Sequence, residues 1–318
     1  MYLLNLAIFG LLFGLPLIPG LLEILKPRDD TSLSLNSNYA RNPHFFGDSM
    51  RAKVAPLLSQ RGRESPYEVP FLGRRGERAH LAERIIVPPR NATEDVLIAF
   101  DHLEIKPDAS LLDGYGIGSV TASDRTFART LLSDGDVRLG SGCKVGRWID
   151  AAGALRVGES CDLGRSATAG KRFTIGAGTR FTRAFGMPII AQGDAPITEA
   201  EGGAAKKSTI SSDLVGHHDV RVDAGCVVSG SVKADGSLTI GAGAHIKGNA
   251  IARGSVMIER GARIDGHVFT EEWLTIGPRV RIGMPGSSRT AYGAFGVKLS
   301  PTAQIFGWLV SDRNGRVA

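Results

Sequence analysis

Three cysteines and seven histidines are the residues with the widest chemical range in this 318-residue chain. Cys143, Cys161 and Cys226 contain no C-x-x-C pair, so neither a redox motif nor a zinc-finger spacing is present. Their sparse, odd number fits a reducing compartment. His44, His80, His102, His217, His218, His245 and His267 are scattered, and a histidine acting as general base needs an orienting carboxylate and a cleft. Asp265 stands two residues before His267, and the His217–His218 pair precedes an apolar segment; these are the nearest approaches to such a set. The acids do not cluster as a polysaccharide-cleaving pair would. There is no P-loop and no G-x-G-x-x-G at a strand-to-helix junction, so no nucleotide is expected as ligand. The net charge of +6 comes without zinc-finger or aromatic RNA-binding motifs, which argues against nucleic acid as a partner. No catalytic residue, metal ligand or cofactor-binding residue is therefore assigned, and no cofactor is expected.

The elements that position these residues follow a ruler. Val220-x-Val222, Leu238-x-Ile240, Val256-x-Ile258 and Leu274-x-Ile276 begin at a constant interval, and Val137, Leu155 and Phe173 repeat the same interval earlier. Leu103 starts a preceding turn of the same kind and Val297 a following one. Each period divides into three sixes, with apolar i, i+2 pairs at offsets 0 and 2, 6 and 8, and 12 and 14. Such a pair is one short strand with its inner face buried. Three strands joined at glycine corners make one turn of a triangular coil, and stacked turns make a solenoid. Gly142, Gly178, Gly225, Gly243 and Gly261 fall at offset 5, and Gly230, Gly248 and Gly266 at offset 10. A glycine count of 41 with 7% aromatics is what a narrow coil of tight corners requires. The fold class is thus all-β, a triangular β-helix (β-solenoid) with three sixes to the turn. On this ruler all three cysteines take offset 6, an inward position where other turns hold small residues. A thiol there is a small core residue. Cys143 and Cys161 stack in neighbouring turns, so a disulfide or a metal site is the alternative. His245 and His267 fall at outward offsets, where a solvated surface role suffices.

Three segments depart from the ruler. Residues 1–25 form an N-terminal membrane segment, in which 2–22 carry no charge and are long enough to span a bilayer. Its anchoring side chains are Leu3, Leu4, Leu6, Ile8, Phe9, Leu11, Leu12, Phe13, Leu15, Leu17, Ile18, Leu21 and Leu22. Pro16 and Pro19 allow a re-entrant hairpin instead of a single span. Lys26 and Arg28 on its C-terminal flank place the bulk of the chain in the cytoplasm. Residues 26–95, rich in Pro and Arg, read as a linker. The β-helix domain occupies 96–312 and is interrupted at about 188–216. That insertion, with Gln192, Asp194, Glu199, Lys206 and Lys207, is the expected partner-binding loop, because loops on a rigid scaffold carry specificity. A smaller insertion contains Gly286–Tyr292.

From Val220 to Ile282 the pattern [VL]-x-[IV]-x-x-G-[AC]-x-[IV]-x-G resembles that of bactofilins, the polymer-forming bacterial cytoskeletal proteins. The resemblance implies a right-handed β-helix, end-to-end polymerisation without nucleotide, attachment to inner-membrane lipid, and a scaffold that localises cell-envelope or membrane protein partners. On that basis the chain is expected at the bacterial inner membrane, facing the cytoplasm, as a homo-oligomer or polymer with no catalysis. An open coil end exposes unpaired strand edges that take a cap or a second chain. Only a short tail follows Val310, so Ile305, Phe306, Trp308 and Leu309 are the expected self-association end. The alternative is a hexapeptide-repeat acyltransferase with a left-handed β-helix, since Ala244/Ile246 and Ala262/Ile264 satisfy that repeat as well. A periplasmic binding module is a third reading.

Overall fold

A computed structural model describes residues 42–58, 67–68, 78–192 and 208–318. The described chain is a single 28-stranded sheet wound into two coils, with one helix, Phe45–Leu58, laid on the first coil. Within each coil every rung pairs in parallel with the rung of the next turn. In the first, Ile85, Leu103, Val120, Val137, Leu155, Phe173 and Ile189 stack in one ladder, and the step between them slips from the full period by one or two positions at several turns. In the second, Val220, Leu238, Val256, Leu274, Val297 and Gly315 stack at a constant step that lengthens once, between Leu274 and Val297. The longer step holds the small insertion, where a tight turn bridges Met284 and Ser287 before Arg289–Gly293 rejoins the ladder. A β-solenoid is therefore established, and its core is the stacked column of apolar residues anticipated from the spacing.

The corner at offset 5 is left-handed throughout the coils. Gly225, Gly243 and Gly261 have φ of 67°, 65° and 68° there, and Arg279 takes 57° at the same place. At offset 10 the glycine corner serves close approach instead: a Cβ on Gly248 would stand 2.6 Å from the backbone of Gly230 one turn away.

The two coils meet tail to tail. Arg180–Ala191, the last strand of the first coil, pairs antiparallel with Gln304–Val317, the last strand of the second. Its register sets Ala184 opposite Leu309, Phe185 opposite Trp308, and Gly186 opposite Gly307. Gln304–Val317 is also paired in parallel with the preceding turn of its own coil, so this seam has partners on both sides. It follows from the pairing order that Gln192 and Ser208 sit at opposite ends of the second coil.

Several boundaries move. The coil begins at Arg78–Val87 and Ala92–Ile105, inside the stretch read as linker, because Ile85, Ile86 and Val87 continue the ladder despite the adjacent prolines. Earlier in that stretch, Phe45–Leu58 buries Gly47, Met50, Val54 and Leu57 along one stripe against Ala79, Val96, Ile98, Tyr115 and Leu132. The coil runs on to Val317 rather than 312. Arg180–Ala191 and Leu214–Gly216 absorb both flanks of the 188–216 insertion. The apolar segment 1–25, with all thirteen anchoring residues named for it, lies outside the described residues. Among the described residues, no helix is long and apolar enough to cross a membrane.

Candidate functional site

The surface expected to be open at the C-terminus is closed within the chain. Ile305, Phe306 and Leu309 are buried and Trp308 is half-buried, because each coil presents an unpaired C-terminal edge and the two edges pair with each other. Phe185 and Trp308 pack across the seam with ring centroids 4.9 Å apart. The expectation of a self-association end at Ile305, Phe306, Trp308 and Leu309 is thereby corrected. The partner of that end is Arg180–Ala191. A signal is present: Phe181, Phe185, Phe306 and Trp308 concentrate aromatics in two strands of an aromatic-poor chain.

An open edge lies instead at the start of the second coil. Thr209–Ile210, Leu214–Gly216 and Val220–Val222 each pair with the following turn, and among the described residues none has a partner on its other side. Core packing is incomplete here: Ile210, Leu214 and Val220 are only partly buried against the apolar column. Val215 is 59% exposed. The opposite end of the molecule is partly covered, since Tyr67–Glu68 pairs antiparallel with Arg78–Ala79. Gln192, exposed at the seam, is the one described residue of the five named for the expected partner-binding loop; its N–H donates to the Ile175 carbonyl at 2.7 Å. Asp194, Glu199, Lys206 and Lys207 lie outside the described residues.

His80, His217 and His245 pair with acids from neighbouring turns. His217 Nδ1 is 3.2 Å from Asp235, which this hydrogen bond holds below the ordinary carboxylate range. His245 Nε2 is 2.8 Å from Asp265, so the partner of Asp265 is the histidine one turn away and not His267. Burial pushes the Asp265 carboxyl up, but the hydrogen bonds from His245 and Arg263 outweigh it and hold the group low. His267 Nδ1 accepts the Thr290 N–H at 3.1 Å, and burial, with Arg289 nearby, lowers its basicity. With His217 87% exposed, that pair lacks the enclosure in which a base is tuned.

The cysteines are buried where the ruler places them. Cys143 Sγ donates to the Ser123 carbonyl at 3.1 Å and Cys161 Sγ to the Gly140 carbonyl at 3.2 Å, each reaching back one turn. The hydrogen bond between the two thiols pushes Cys143 down and Cys161 up, so thiolate character in this buried pair falls on Cys143.

The helix Phe45–Leu58 is seated by a polar cluster. His44 Nδ1 bonds Asp150 at 2.7 Å, Arg51 Nε bonds Asp134 at 2.6 Å, and the Tyr115 hydroxyl donates to Asp134 at 2.6 Å. Asp150 stands so close to the first turn that a Cβ on Gly47 would collide with its Oδ2. Burial pushes the Asp150 carboxyl up, against the opposing hydrogen bond from His44. Comparison of the chain with family models, with curated proteins and with solved structures returned no match.

Proposed function

We propose that this protein is a self-associating scaffold of the bactofilin kind, a right-handed solenoid held at the inner membrane by residues 2–22 with its bulk in the cytoplasm. It assembles through the open edge at 209–222, and its role is to localise cell-envelope partners rather than to catalyse a reaction. The observation that carries this reading is that Thr209–Ile210, Leu214–Gly216 and Val220–Val222 have no outer strand partner among the described residues, with partly buried apolar core beneath them. The occupant is a second copy of the same edge. Two such N-terminal ends facing each other run antiparallel, as the two C-terminal ends do at the seam, and a contact between identical surfaces closes as a two-fold dimer. A second pairing at the opposite end extends the dimer into a filament.

Sedimentation and electron microscopy of the full chain in detergent test this. End-to-end assemblies are expected for the wild type. Val215→Pro, which removes an edge N–H donor, and Leu214→Lys are expected to disperse them with the circular dichroism unchanged. A strict monomer at every concentration would overturn the reading. So would a melting-temperature rise with an acyl-thioester cofactor, which belongs to the acyltransferase alternative.

A further inference from the structure

The seam carries a second feature, independent of assembly. A cleft of about 500 Å³ opens where the coils meet, walled by Asp162, Arg180 and Phe181 of the first coil and by Trp273, Lys298 and Arg316 of the second. Register aligns its cations. Arg180 is the direct partner of Arg316 across the antiparallel ladder, and Arg316 is the direct partner of Lys298 across the parallel one. Three cations from three adjacent strands therefore stand in a row, spaced by about 4.8 Å each. All three are exposed. Arg313 stands at the rim with its guanidinium 5.0 Å from the Phe295 ring, and Asn314 adds an amide.

Like charges set directly opposite on a sheet are destabilising. Among the described residues none of Arg180, Lys298, Arg313 and Arg316 makes an ion pair, and Asp162 is the only acid in the cleft wall. Asp162 is the direct partner of Arg180 on the side away from Arg316, so one acid stands at the first-coil end of the row against the three cations. The row at the seam holds net positive charge inside a concavity, and guanidinium groups bind phosphate oxygens in pairs.

We propose that the seam cleft binds a compact polyanion carrying two or more phosphate groups in line, bridged by Arg180, Arg316 and Lys298. The volume is that of a small-molecule site, so the ligand is a short polyphosphate or a multiply phosphorylated headgroup and not an extended polymer. Contacts from both coils make such a ligand a clamp across the seam.

Calorimetric titration of the full chain with sodium tripolyphosphate at about 150 mM salt tests the site, since that ionic strength screens loose surface attraction. Saturable binding is expected, with monophosphate at least tenfold weaker. Arg180→Gln combined with Arg316→Gln should weaken binding tenfold or more. Without ligand the same variant should melt no lower than the wild type, because it removes an opposed like-charge pair. Arg138 and Arg156, stacked in register on the first coil away from the seam, provide the control; Arg138→Gln with Arg156→Gln should leave binding unchanged. Absence of saturable binding, retention of binding in the seam variant, or equal loss in the control variant would each overturn the proposal. Vesicles with and without a bisphosphorylated inositol lipid separate the sources. Extra flotation that tripolyphosphate competes away assigns a headgroup, and tripolyphosphate binding without it assigns a soluble ligand.

Discussion

The two coils share one architecture and solve its interior differently. The second is nearly pure repetition: Leu238, Ile240, Ala244, Ile246, Ala250 and Ala252 fill a turn, and Thr270 and Ser311 are its fully buried polar side chains among the described residues. The first buries Asp113, Arg129, Thr130, Ser133 and Asp150, and carries the helix Phe45–Leu58 on its flank. Arg129 pairs with Asp113 through both its Nε and Nη2, and Thr130 donates to the same carboxylate. These groups belong to strands that run past the triangular core, such as Phe127–Ser133 and Lys144–Ala151, whose extra residues open a second, smaller core under the helix. A regular solenoid needs only nearest-neighbour contacts. The added helix brings its own partners to coil acids, His44 to Asp150 and Arg51 to Asp134, while Asp113, Arg129 and Thr130 satisfy one another within the coil.

The largest effect that bears on this contrast is at the seam, where the coils depend on each other. Leu309→Asp puts a carboxylate into a site with 0% exposure, opposite Ala184, at a cost on the order of 5 kcal/mol. Denaturant unfolding should show the loss, and hydrogen exchange should show amides of both 180–191 and 304–317 opening together. Exchange confined to 304–317 would break the idea of a shared edge.

Arg129→Met comes next. It leaves Asp113, 1% exposed, without its charge partner, and should cost about 3–5 kcal/mol, read in the first coil alone. If the second coil's amides lose protection equally, the coils unfold as one unit and the contrast is one of composition only.

The smallest effect is in the pH dependence, where one carboxyl of each coil, Asp265 and Asp150, should differ in sign. Asp265 in the second coil is held low, so its contribution is present above the unfolded carboxylate value of about 3.9 and is lost as pH falls below it. Asp150 in the first coil is pushed up, with His44, Asp48 and Arg51 facing it, so protonation favours the folded form and stability falls as pH rises through its folded value. Melting curves between pH 3 and 7 should therefore flatten on the acid side for Asp265→Asn and on the rising side for Asp150→Asn. The same direction in both variants would remove the distinction.

Legibility in the sequence follows the same division. Every rung from Val220 to Leu274 is where the ruler puts it, because the spacing is constant and the residues alternate. In the first coil Val120 does not stand out, since it falls one position short of the full period from both Leu103 and Val137. The offset-5 corner explains part of the rest. Its left-handed conformation is imposed by the coil, and Asp108, Arg125, Ser160 and Thr302 adopt it as Gly243 does, at φ of 59°, 57°, 55° and 66°. Glycine marks the corner only where the sequence happens to relieve the strain. The tail-to-tail pairing is not legible, because antiparallel partners so distant in the chain leave no period. Reading the C-terminal edge as free follows from that; among the described residues the unpartnered edge is at 209–222.

Tail-to-tail closure also fixes the order in which the protein can be completed. Gln304–Val317 is made after every strand it pairs with, and its partner Arg180–Ala191 leaves the ribosome long before it. During that interval the first coil waits with a bare C-terminal edge while the second coil winds back toward it. Each nascent chain thus passes through a stage in which the edge at 180–191 is displayed to its neighbours, and a stop codon or a cut just before Gln304 would make that stage permanent.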